Sequence, residues 1–152
     1  MLRVVLYEPE IPPNTGNIAR LCAATRCELH IVGPTGFRMD DRTLRRAGLD
    51  YWQHVSLFRH IDLDQCILQC PGSRFIFLTT KASRPYTEWR FNAGDALVFG
   101  PETRGLPQKV LDANADRCLT IPMANPNVRS LNLATSVAIV LYEGLRQLAS
   151  PS

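Results

Sequence analysis

The chain predicts an α/β protein, with a mainly parallel sheet covered by helices on both faces. Three observations carry this. Apolar strands alternate with helical patterns along the whole length. Strands such as Leu2 to Tyr7 and Arg74 to Thr79 are runs of apolar residues rather than alternations, as in a sheet buried on both sides. Gly- and Pro-rich loops follow the late strands, and open parallel sheets bind ligands beyond the carboxyl ends of their strands. The 152 residues fit one domain, 1–152, large enough to bury a core without staples.

Leu2 to Tyr7 is the first strand. A stiff loop with three prolines follows, Glu8 to Asn17, and Asn14 or Thr15 starts a helix that shares Ile18, Leu21, Cys22 and Thr25 on one face. Glu28 to Val32 is a second strand, closed by Gly33-Pro34-Thr35-Gly36. Asp40 to Ala47 reads as a short helix stopped by Gly48. His54 to Phe58 is a third strand, Ile61 to Cys70 a helix, Arg74 to Thr79 a further strand and Lys81 to Arg90 a polar loop. Asp95 to Phe99 runs into Gly100 to Pro107. A short helix at Gln108 to Ala113 leads to a strand at Cys118 to Ile121. The last helix is the plainest, with Ala134, Val137, Ala138, Leu141, Tyr142, Leu145 and Leu148 on one apolar face. Ser130 can cap its first turn.

Composition excludes several classes. No apolar run approaches the roughly 20 residues of a membrane span, and the apolar start is too short for a signal peptide. The five cysteines, Cys22, Cys27, Cys66, Cys70 and Cys118, are odd in number and lie in apolar patterns. They read as reduced core thiols of a cytoplasmic protein. The histidines His30, His54 and His60 are not spaced as ligands, so no metal site is expected. Net charge is +3, too mild to prove a nucleic-acid partner. Lys81 and Lys109 are the only lysines, and the remaining cations are arginines, which contact phosphate in bidentate fashion and stack on bases.

Arg38, Arg42, Arg45 and Arg46 form the densest basic cluster, with Tyr51 and Trp52 close behind. That combination suits RNA, and it equally suits a solvated helix beside two core aromatics. Lys81 and Arg84 can meet phosphate or water. The usual nucleotide signatures are missing, since neither Gly-x-Gly-x-x-Gly nor a P-loop occurs. Instead, loops at 100–107 and 121–130, with Thr79-Thr80 ending an earlier strand, are placed to surround one small molecule. The 121–130 loop by itself also reads as an ordinary strand-to-helix connection.

Three segments together resemble a known family. Asn14-Thr15-Gly16-Asn17-Ile18-Ala19-Arg20, Phe99 to Leu106, and Ile121-Pro122-Met123 through Arg129-Ser130-Leu131-Asn132 look like the three motifs of the SpoU branch of the SPOUT RNA methyltransferases. The likeness spans nearly the whole chain. Tyr7 to Asn17 and Leu44 to Tyr51 are similar to the subgroup that methylates the 2′-hydroxyl of cytidine or uridine 34 in tRNA.

The resemblance implies a C-terminal deep trefoil knot, a homodimer, S-adenosylmethionine as cofactor and the tRNA anticodon stem-loop as partner, with no membrane and no DNA. It places Leu78, Thr79, Gly100, Glu102, Ile121, Met123, Ser130 and Leu131 at the cofactor. Arg20, Asn14, Ser130 and Asn132 match catalytic positions; Arg42, Arg45, Arg46 and Lys81 are candidates for tRNA contact. A guanidinium stays protonated, so Arg20 suits a developing alkoxide or a phosphate better than it suits proton removal. The competing readings are a 2′-O-methyltransferase acting at another tRNA or rRNA site, and an RNA-binding knot protein without catalysis.

Overall fold

The computed structural model describes residues 1–40, 42, 44, 46 and 51–149. Its strands are β1 (Arg3–Tyr7), β2 (Glu28–Val32), β3 (Leu57–His60), β4 (Phe75–Leu78), β5 (Ala96–Phe99) and β6 (Cys118–Leu119). Its helices are α1 (Pro12–Thr25), α2 (Leu63–Gln69), α3 (Gln108–Ala113) and α4 (Leu133–Ala149). The strands form one sheet in the order β3-β2-β1-β5-β4-β6. Every pairing is parallel, with Val4 opposite Leu29 on one side and Leu97 on the other.

Both faces of the sheet are covered, as the unbroken apolar strands require. Side chains alternate across a strand. Val4, Leu6, Leu29, Ile31, Ile76 and Leu97 therefore meet Ile18 and Cys22 of α1 and Val137, Val140 and Leu141 of α4. Val5, Val32, Phe75, Phe77 and Val98 meet Cys66 and Cys70 of α2 and Leu111 of α3. Each fully buried side chain of this size contributes about 1.5–3 kcal/mol by leaving water. Gly144 lets α4 come close to β1, since a Cβ there would stand 2.6 Å from Leu2 Cδ1.

Several expected boundaries move. The α1 helix starts at Pro12, two residues early, because proline at the first helical positions gives up an amide that has no partner there. The expected third strand begins at Leu57, after a 3-10 turn at Trp52–His54. Leu57 and Phe58 are exposed because β3 is an edge strand. The α2 helix begins after Asp62, whose Oδ1 accepts the Gln65 amide at 2.8 Å. The polar loop at 81–90 contains a 3-10 turn, Tyr86–Glu88.

The expected helix at 40–47 falls partly outside the described residues, as does Arg45. Of its other members Leu44 is wholly buried, and Arg42 and Arg46 are exposed. Ser130 does not cap α4. Asn132 does, its Oδ1 accepting the Thr135 amide at 3.2 Å, because the helix starts two residues later than a Ser130 cap needs.

The sheet order reverses at one place. From β1 the chain builds outward through β2 and β3, then returns to lay β5 against the other side of β1. The loop that leaves β5 therefore lies between the loop that leaves β1 and those that leave β4 and β6, and a crevice opens beside it at the carboxyl ends of the strands.

Candidate active site

Four strand ends feed that crevice. The loops after β1, β4, β5 and β6, with the start of α4, enclose a cavity of about 460 Å³. Every residue expected at the cofactor lines it: Leu78, Thr79, Gly100, Glu102, Ile121, Met123, Ser130 and Leu131. So do Asn14, Asn132 and Lys81. Residues far apart in sequence thus share one wall because parallel strands deliver their C-terminal ends to the same edge of the sheet.

The loop after β5 is tightly folded. The Gly105 amide donates to Pro101 O at 2.9 Å, and Gly105 takes a φ of +69°. This bends the chain back over Gly100, where a Cβ would lie 2.4 Å from Leu106 N. Only glycine fits there.

Reciprocal carboxylate contacts tie this loop to the one after β1. Glu102 Oε1 accepts the Glu10 amide at 2.8 Å, and Oε2 accepts the Ile11 amide at 2.8 Å and Asn14 Nδ2 at 3.3 Å. In return Glu10 Oε1 accepts both the amide and the hydroxyl of Thr103 at 2.8 Å. The Thr103 amide and hydroxyl hold the Glu10 carboxyl below its ordinary range, against the opposing effect of burial, with help from Arg104. Arg104 also reaches Glu8 Oε1 at 3.3 Å.

The chain of contacts continues into the third loop. Asn14 Oδ1 accepts from Asn132 Nδ2 at 3.1 Å. Glu102, Asn14 and Asn132 therefore form one line of hydrogen bonds joining the three motifs, and the line ends at the cap of α4. Asn14 is buried, and its side-chain amide is held at both ends.

The opposite wall offers backbone. Thr79 donates its amide to Leu119 O, and Thr120 exchanges with Arg84 and Tyr86. Beyond Thr120 this pairing stops. Among the described residues, the amides of Ile121, Met123 and Leu131 donate to no group of the protein. Unpaired amides at the mouth of a cavity are costly unless water or a ligand meets them.

Other candidates stand apart. Arg20 is exposed on α1, outside the cavity, with its guanidinium 4.9 Å from the centre of the Tyr51 ring. Arg42 and Arg46 do not line the cavity either. Lys81 Nζ donates to Gln108 Oε1 at 3.1 Å. Arg104 and Arg129 line the cavity and are not among the expected site residues. Their signal is present, since both sit inside the motif loops, but an arginine in a loop is usually just solvated.

A parallel sheet whose order reverses beside a loop-built cavity defines a ligand-binding α/β protein. The chain belongs to the SpoU rRNA Methylase family, whose model matches residues 1–142. It is 51% identical over 152 residues to the tRNA (cytidine(34)-2'-O)-methyltransferase of Escherichia coli (strain K12), across 99% of this chain and 96% of that one. A solved structure described as giving structural insights into the 2-OH methylation of C/U34 on tRNA matches with a TM-score of 0.92 and 47% identity, covering 97% of this chain and 96% of its own. The AdoMet-bound rRNA methyltransferase from Sinorhizobium meliloti matches with a TM-score of 0.85 and 26% identity, over 98% of this chain and 57% of its own. The family expected from the three motifs is the family found.

Proposed function

We propose that this protein is an S-adenosylmethionine-dependent tRNA methyltransferase acting on the ribose 2′-hydroxyl of the wobble nucleotide, cytidine or modified uridine 34. The observation that supports this most is the convergence of all three motif loops on one cavity, in a chain 51% identical to the Escherichia coli enzyme. In this reading the single domain, 1–152, carries the whole activity, its C-terminal segment forms a deep trefoil knot, and two copies form a cytoplasmic homodimer.

The residues fit the cofactor. The free amides of Ile121, Met123 and Leu131 suit a ligand gripped by backbone. Leu78, Thr79, Glu102 and Ser130 complete that wall. S-adenosylmethionine, when bound, supplies a sulfonium-activated methyl group for displacement by the ribose oxygen.

The protein's own part is placement. Both Glu102 oxygens are occupied by the Glu10 and Ile11 amides and by Asn14, so its role is to orient Asn14 rather than to take a proton. Asn14, Ser130 and Asn132 position the ribose. Arg20, always cationic, stabilises the developing alkoxide or grips the adjacent phosphate. Arg20 stands outside the cavity of its own chain, and in this reading it serves the site of the second copy. The exposed Tyr142 on α4 belongs to the face that meets that copy.

Arg20→Ala tests this reading. Calorimetry should show cofactor affinity retained, while transfer of labelled methyl to tRNA is abolished. Mixed dimers of Arg20→Ala with a subunit carrying Asn132→Ala should recover part of the activity. An Arg20→Ala protein that loses cofactor affinity but keeps full turnover at saturating cofactor overturns the assignment.

A further inference from the structure

On the sheet face away from α1 and α4, three metal-ligating side chains come together that their spacing in the chain conceals. His30 stands on β2, and Cys66 and Cys70 lie one turn apart on and just after α2. Their ligand atoms all fall within 4.8 Å of one another, and all three residues are buried. None of them lines the methyltransferase cavity. We propose that His30, Cys66 and Cys70 form a structural site for a thiophilic divalent ion of the zinc class.

The surroundings of His30 set it up as a ligand. Its Nε2 lies 2.9 Å from Glu28 Oε1, and Glu28 also takes Arg3 Nε at 2.8 Å. The Glu28 carboxylate is thus ion-paired with Arg3 on one side and meets the imidazole on the other. An ionised acceptor at Nε2 fixes the proton there. Nδ1 then carries the lone pair, which is the arrangement of a carboxylate–histidine–metal triad. His60 Nε2, 2.8 Å from that Nδ1, donates into the lone pair when no ion is present.

The sulfurs fit the same ion. Both are buried among Val5, Phe75 and Phe77 of the same core, as free thiols. Binding a divalent ion replaces two thiol protons, which leave to solvent, and two thiolates cancel its charge. A neutral assembly is what a buried position tolerates. Tetrahedral zinc with sulfur at about 2.3 Å needs sulfurs about 3.8 Å apart. Sulfurs within 4.8 Å of each other are close to that spacing.

Cobalt(II) is the probe, titrated into the reduced protein without oxygen. One equivalent should bind with a two-thiolate charge-transfer band in the near ultraviolet and the intense visible bands of a tetrahedral site, and zinc should displace it. Cys66→Ser and Cys70→Ser should each weaken binding at least tenfold while their circular dichroism stays native. Cys22→Ala, in the other core, should change nothing. Zinc should also raise the melting temperature of the wild type and not of the cysteine variants. Should a serine variant fail to fold, Cys70→Ala and His30→Asn carry the same comparison. Less than a tenth of an equivalent bound, or binding that persists in both cysteine variants, overturns the proposal.

Discussion

Glu102 holds two loops with one carboxylate. Its acceptors satisfy the amides of Glu10 and Ile11 and fix the Asn14 side chain, which in turn meets Asn132. Glu102→Ala removes all three hydrogen bonds at once. The expected cost is about 1–3 kcal/mol, because the part-buried Glu10 amide and Asn14 side chain are left without a charged acceptor, and cofactor affinity should fall with it. Urea unfolding and calorimetry read the two effects; a variant with native stability and native affinity would contradict the clasp. The candidacy of Glu102 is legible in its motif, but its partners are not, since they lie 91 and 92 residues away in the chain. Ser130 and Asn132 show a similar limit. Both are good caps by type, and only the start of α4 at Leu133 decides for Asn132.

Secondary elements are legible where periodicity is strong and uncertain where the sheet has an edge. The α4 pattern and the buried strands β1, β2, β4 and β5 follow from apolar runs that have no other use. The exposed β3 and the two-residue β6 carry weak patterns, so their limits differ from those expected. Tyr142 shows that an apolar stripe can be wider than the face it buries, being 53% exposed although its spacing puts it on that face. The loop after β5 is the element on which the cavity depends most. Gly100→Ala would drive a Cβ into the Leu106 and Gly105 backbone, which cannot yield without opening the loop. The expected loss is about 1–3 kcal/mol of stability together with most of the cofactor affinity. Unchanged cofactor binding, measured by calorimetry, would show that this loop does not shape the cavity.

At the scale of the molecule, strand alternation is legible in the sequence and strand order is not. The reversal beside β1 depends on which strand pairs with which, and long-range pairing leaves no local mark. The family resemblance supplies what periodicity lacks, because the three motifs mark the loops that the sheet brings together. Substrate binding belongs to this scale too. Arg42 and Arg46 are exposed and do not line the cavity, and Arg20 stands over Tyr51. Replacing Arg42 and Arg46 together with alanine should weaken tRNA binding and flatten its salt dependence, by about one unit of slope for each phosphate no longer neutralised. An unchanged slope would make them ordinary solvated arginines.

The central claim is a position and an atom: the ribose 2′-oxygen of nucleotide 34. Nucleoside mass spectrometry of tRNA lacking wobble modification, digested after incubation with the protein and S-adenosylmethionine, tests both together. The predicted result is a single 2′-O-methyl group on nucleotide 34 in an anticodon fragment, absent when Arg20→Ala protein is used. A methyl group on a base, or on the ribose of any other nucleotide with position 34 untouched, would contradict it.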